Sequence, residues 1–155
     1  MSNTLRTFIA ITLNSEIQQF LSRTQDHLKK LGCDIKWVKP ENIHFTLKFL
    51  GDVKLKKIDE VKQTLENLAK NMQPVDIELT QLGAFPNVQR PRILWAGIKD
   101  EEKRITQFAK LLEDHFGKIG FKKEKKPFSP HLTIGRIRSP KNLNLLSEMI
   151  SKYSL

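Results

Sequence analysis

Two rhythms of apolar residues run along this chain, and the switches between them mark its elements. A period of two describes strands with one buried face; a period near 3.6 describes amphipathic helices. Residues 6–13 (RTFIAITL) form a β-branched run bounded by polar residues, which predicts a strand. From Ser15 to Leu31 the apolar positions Ile17, Phe20, Leu21, Leu28 and Leu31 share a helical face. Asn14 or Ser15 is available as N-cap there, and Gly32 as the stop. Short strands are predicted over 35–38 and 43–50, then a helix over 55–72 carrying Ile58, Val61, Leu65, Leu68 and Met72. Residues 75–82 alternate as a half-buried strand does, and 93–98 are apolar enough for a central one. A helix over 101–119 stopped by Gly120, a strand over 131–138 and a helix over 143–153 complete the pattern.

The pattern repeats once. Ile17-Gln-Gln-Phe20 recurs as Ile105-Thr-Gln-Phe108. At the same spacing Asp26-His27 recurs as Asp114-His115, and Lys30-Leu-Gly32 as Lys118-Ile-Gly120. One residue closer, Pro40, His44 and Thr46 align with Pro127, His131 and Thr133. A single duplication is not a solenoid. It predicts one bilobal domain over 1–155, with repeats at about 6–82 and 92–155. Each repeat is a strand–helix–strand unit that offers a His-x-Thr strand to a shared cleft. The first repeat continues through its second helix into a strand, whereas the second stops after the matching helix. A closing strand is therefore expected to be missing, and the chain reads as shortened.

The duplicated strands carry the candidate chemistry. In Ile43-His-Phe-Thr-Leu-Lys-Phe49 the odd positions are apolar, while His44, Thr46 and Lys48 occupy the other face. In His131-Leu-Thr-Ile134, His131 and Thr133 share a face opposite Leu132 and Ile134. With four His and nine Thr in the chain, chance yields about 0.2 His-x-Thr matches, so two at equivalent points of a repeat point to function. A pair of imidazoles suits acid–base work: a neutral ring activates water or a hydroxyl, and a protonated ring protonates a leaving oxygen. Threonine hydroxyls donate to phosphoryl oxygens where charge develops. No HExxH, paired cysteine or Asp cluster is present, so no cofactor or metal is expected.

Charge then narrows the partner. Lys and Arg number 27 against 17 Asp and Glu, a net charge of +10 among 155 residues, which favours polyanions such as nucleic acid. No apolar run approaches a membrane span, no signal peptide opens the chain, and Cys33 has no partner for an internal disulfide. A cytoplasmic monomer away from the membrane is expected.

With HFTL at 44–47 and HLTI at 131–134 on a duplicated frame, the chain resembles the two-histidine (2H) phosphoesterase superfamily. The flanking RTFIAI, WVKPENIHFTLKFLG (37–51), GAFPN (83–87), RILWAGI (92–98) and PHLTIGRI (130–137) narrow the resemblance to its RNA 2′,3′-cyclic phosphodiesterase branch, the LigT-like or 2′-5′ RNA ligase family. The resemblance implies an α+β fold: two pseudo-symmetric lobes, mostly antiparallel sheets lining a central cleft, helices outside. It implies opening of RNA 2′,3′-cyclic phosphate ends to 2′-phosphomonoesters, with tRNA fragments as one candidate source, and in some members reversible 2′-5′ joining. His44 would be proton donor to the departing 3′ oxygen and His131 the acceptor that activates water, with Thr46 and Thr133 on the phosphate.

Among supporting residues, Arg136 is a candidate phosphate ligand that strict alternation places opposite His131, unless a bulge at Gly135 corrects it. Lys48 shares the His44 face and is a second candidate. Lys126, in the run Lys122, Lys123, Lys125, Lys126, is a candidate contact to the RNA backbone. Phe128 and Phe85 border the motif loops, where base stacking and loop anchoring are both open. Trp95, in a central strand, is expected in the core. His27 and His115 read as helix-surface residues, and Cys33 as inert. The competing readings are a phosphodiesterase acting on small cyclic nucleotides or 2′-5′ linkages, and a non-catalytic RNA-binding module.

Overall fold

In the computed structural model, which describes residues 3–153 and 155, six strands and four helices form an α+β protein with two separate sheets. In chain order these are β1 (Thr4–Thr12), α1 (Ser15–Lys29), β2 (Ile35–Trp37), β3 (His44–Lys54), α2 (Ile58–Ala69), β4 (Glu78–Phe85), β5 (Ile93–Lys99), α3 (Arg104–Lys118), β6 (His131–Ile137) and α4 (Leu143–Lys152). Two compact units each draw on separated stretches of chain. The first takes residues 1–11, 46–76 and 100–130, the second 12–45, 77–99 and 131–155.

The second unit is built on a four-stranded sheet ordered β2-β6-β5-β4, antiparallel throughout. One face of it is apolar and closed: Leu82, Ala84, Leu94, Ala96, Leu132 and Ile134 are all buried. The helices of this unit supply further buried residues, Leu21 and Leu28 from α1 and Leu146 and Ile150 from α4. Asn14 starts α1 by accepting from the Ile17 amide at 2.9 Å, and Gly32 follows its end at φ +69°, a conformation open to glycine. Gln25, buried on α1, donates from Nε2 to the carbonyls of Val38 (2.7 Å) and Ile134 (2.9 Å), tying helix to sheet.

The first unit holds β1 beside β3 and the helices α2 and α3. The Asp100 carboxylate, accepting from the Thr106 amide (3.1 Å) and hydroxyl (2.9 Å), stands at the entry to α3. That arrangement moves the helix start from the expected 101 to Arg104. The helix expected over 55–72 is a 3₁₀ turn at Leu55–Lys57 followed by α2. The strand expected at 75–82 runs over Glu78–Phe85, because pairing with β5 begins at Glu78 opposite Lys99. On β3 the alternation holds through Phe45 and Leu47, both buried, and then fails. Phe49 is 61% exposed, resting against Phe8 on the two-stranded sheet.

Candidate active site

Both His-x-Thr segments lie on strands whose alternate residues anchor them in the core. On β3, Ile43, Phe45 and Leu47 are buried while His44 and Thr46 are half-buried. On β6, Leu132 and Ile134 are fully buried while His131 and Thr133 are half-buried. The buried neighbours fix each strand's orientation, and period two then leaves imidazole and hydroxyl together on the other face. His44, His131 and Thr133 belong to the second unit; Thr46 begins the stretch of β3 assigned to the first.

Register settles Arg136. Gly135 pairs with Leu94 and Thr133 with Trp95, so Ile134 is an extra residue on β6. The bulge returns Arg136, opposite Ile93, to the face that carries Trp95, Thr133 and His131. Its side chain is exposed there, as is that of its other cross-strand neighbour, Lys36.

Lys48 departs from expectation. Alternation puts it on the His44 side of β3, but its ammonium is held by α3 and the loop after it. Its side chain has no exposure, and Nζ contacts Glu113 Oε1 at 2.7 Å and the Lys122 carbonyl at 3.0 Å. Glu113 Oε2 accepts from the Glu124 amide. This candidate residue thereby anchors the loop leading to the second motif. In that loop Lys126 is exposed and Phe128 half-buried, while Lys123 pairs with Asp114.

Trp95 also departs from expectation. It stands on the half-buried site face, not among the core residues on the other side of β5, and its indole approaches the His131 ring, centroids 6.3 Å apart. Phe85 meets the same imidazole edge-to-face at 4.9 Å. Sequence reasoning missed this pairing. Its signal was a glycine two residues from each aromatic, in Gly83-Ala-Phe85 and Trp95-Ala-Gly97.

His27 packs near Tyr153, and His115 Nδ1 lies 3.0 Å from the Leu111 carbonyl within α3. The Cys33 Sγ contacts the Asn142 carbonyl at 3.4 Å; burial raises its pKa, and the Lys141 charge opposes that shift. A cavity of about 430 Å³ in the first unit, lined by Leu68, Met72, Val75, Phe108 and Leu111 among others, contains none of the motif residues. Among the described residues, no group of three or more His, Cys, Asp or Glu stands where it could hold a metal ion. No helix among them is long and apolar enough to cross a membrane.

Two half-buried His-x-Thr segments, each braced by buried apolar neighbours, describe a phosphoesterase-like α+β protein. The LigT-like phosphoesterase profile matches residues 11–95 and 97–154, and the chain belongs to that family. It is 35% identical over 148 residues to the RNA 2′,3′-cyclic phosphodiesterase of Methanothermobacter thermautotrophicus, spanning 96% of this chain and 79% of that protein. The crystal structure of a Thermus thermophilus protein superimposes with a TM-score of 0.79 at 27% identity, covering 88% of this chain and 76% of that one. E. coli LigT complexed with 3′-AMP gives a TM-score of 0.70 at 25% identity, covering 89% and 76% respectively.

Proposed function

We propose that this protein is an RNA 2′,3′-cyclic phosphodiesterase that opens terminal cyclic phosphates to 2′-phosphomonoesters. The observation that carries the reading is the pair of half-buried His-x-Thr segments, each flanked by buried apolar neighbours, in a chain of the LigT-like family. In the proposed step a water oxygen attacks phosphorus and the P–O3′ bond breaks. His131 takes the water proton and His44 gives a proton to the departing O3′, so the pair exchanges protonation states over one turnover. Thr46 and Thr133 donate hydroxyl hydrogen bonds to the non-bridging oxygens, and Arg136 adds charge on the same face as Thr133.

The net charge of +10 favours RNA ends, tRNA fragments among them, over isolated nucleotides. Support for the nucleotide class also comes from the 3′-AMP held by E. coli LigT. The test is incubation, with EDTA present, of a short RNA ending in 2′,3′-cyclic phosphate, followed by identification of the product terminus. A 2′-phosphate is expected; a 3′-phosphate would reverse the assignment of the leaving oxygen, and no turnover would refute the reading. His44→Ala and His131→Ala are each expected to lower kcat at least about a hundredfold with the fold intact. Wild-type rates in either variant would refute the two-histidine mechanism. KM for RNA should rise steeply with salt, whereas a small cyclic nucleotide should show little salt dependence.

A further inference from the structure

The face of the β4-β5-β6 sheet that carries His131 is built around an aromatic pair whose placement needs explanation. Cross-strand pairing sets Phe85 opposite Ile93, Gly83 opposite Trp95, and Gly97 opposite His131, so all of these residues share one face. The Trp95 indole leans along the sheet over two positions without side chains. A Cβ on Gly83 would fall within the van der Waals envelope of Trp95 Cζ2 and Cη2, and one on Gly97 would lie 3.2 Å from Cζ3. Phe85 and Trp95 have centroids 5.2 Å apart, and both rings reach the His131 imidazole, Phe85 at an interplanar angle of 85° and Trp95 at 60°.

The indole nitrogen adds an independent clue. Trp95 Nε1 is buried and donates to no acceptor. A buried tryptophan ordinarily places its N–H against a partner, because an orphaned donor loses its hydration without replacement. The opposite face of the sheet, with Leu94 and Ala96 fully buried, is closed without help from Trp95.

We infer that Phe85 and Trp95 are positioning residues that hold the His131 ring in its reactive orientation, and that Gly83 and Gly97 stay bare so the indole can lie beneath it. The inference rests on the proposed role of His131 in the reaction. Torsion about the Cβ–Cγ bond of histidine is broad and roughly two-fold, so packing against the ring narrows the directions it samples. Two aromatic walls at crossed angles restrict that sampling. Misplacement of a reacting group by about 1 Å costs about a hundredfold in rate, which sets the scale of the effect.

The test uses Gly83→Ala, Phe85→Leu, Trp95→Leu and the conservative Trp95→Phe, with two readouts. The first is steady-state kinetics on an RNA ending in 2′,3′-cyclic phosphate. The second is the NMR signature of the His131 ring in the free protein, assigned with His131→Asn, because the neighbouring rings displace its carbon-bound proton resonances. Gly83→Ala, Phe85→Leu and Trp95→Leu are expected to lower kcat about tenfold to a hundredfold with KM within about twofold. Their His131 resonances should move towards those of an exposed histidine, and Trp95→Phe should retain most of kcat. Should Gly83→Ala fail to fold, Phe85→Leu, at a half-buried position near the strand end, decides. Ring resonances unchanged in the variants would overturn the inference. A raised KM at unchanged kcat would also overturn it and assign the rings to a stacked base. If the wild type leaves the cyclic phosphate intact, the proposed function fails while the NMR comparison still decides whether these rings orient His131.

Discussion

Replacing Lys48 by Met tests the buried Lys48–Glu113 ion pair of the first unit. Lys48 Nζ has no exposure and is held by Glu113 Oε1 at 2.7 Å and the Lys122 carbonyl at 3.0 Å. Methionine keeps most of the apolar stem, so the variant isolates the charge. Removing one partner of a buried pair costs ~3–5 kcal/mol, most of it from the charge left behind. Glu113 retains 20% side-chain exposure and its bond from the Glu124 amide, so water and that amide relieve part of the penalty. The expected loss is about 2–4 kcal/mol. For a chain of this length each kcal/mol moves Tm by ~2–4 °C, so a drop of roughly 6–12 °C is expected at the middle of that range. Thermal and urea unfolding measure it. Glu113→Gln should be worse, since it strands a fully buried ammonium, and the double variant Lys48→Met/Glu113→Gln should recover part of the combined loss. KM for a cyclic-phosphate RNA should stay within about twofold of wild type below the transition. A Lys48→Met protein of unchanged stability and much raised KM would refute the reasoning and return Lys48 to the phosphate.

Other outcomes follow from single contacts. Gln25→Leu removes both bonds from α1 to the Val38 and Ile134 carbonyls; a loss of about 1–3 kcal/mol in urea unfolding is expected, and none would mean water replaces the amide. Asn14→Ala removes the cap on the Ile17 amide and should cost about 1 kcal/mol, whereas Asn14→Gly should cost only a few tenths. Cys33, its pKa raised by burial, holds less thiolate than a free cysteine at about pH 8. Alkylation should be slower than for a free thiol, with its rise displaced to higher pH; a rate equal to the free thiol would contradict the burial.

Local chemistry decided much of this protein before any folding. Asn14 and Gly32 bracket α1, Gly120 follows α3, and the alternation about His44 and His131 names the buried partners Phe45, Leu47, Leu132 and Ile134. These features depend on residues within a turn or two of each other, which is why they are legible in sequence. The two His-x-Thr segments are legible for the same reason, since period two places both functional atoms on one face.

Tertiary structure decided what covers each face and which strands stand opposite. Alternation put Lys48 beside His44 but held no information that Glu113, distant in sequence, would bury its charge. The face of Arg136 turned on one extra residue, Ile134, visible only once β6 is registered against β5. Trp95 looked like core because its strand is central, yet a central strand has two faces. Only pairing with Gly83 and Thr133 shows that the indole lies on the one with His131. Periodicity specifies which residues point the same way; register and packing, set by contacts between segments far apart in the chain, specify what they point at.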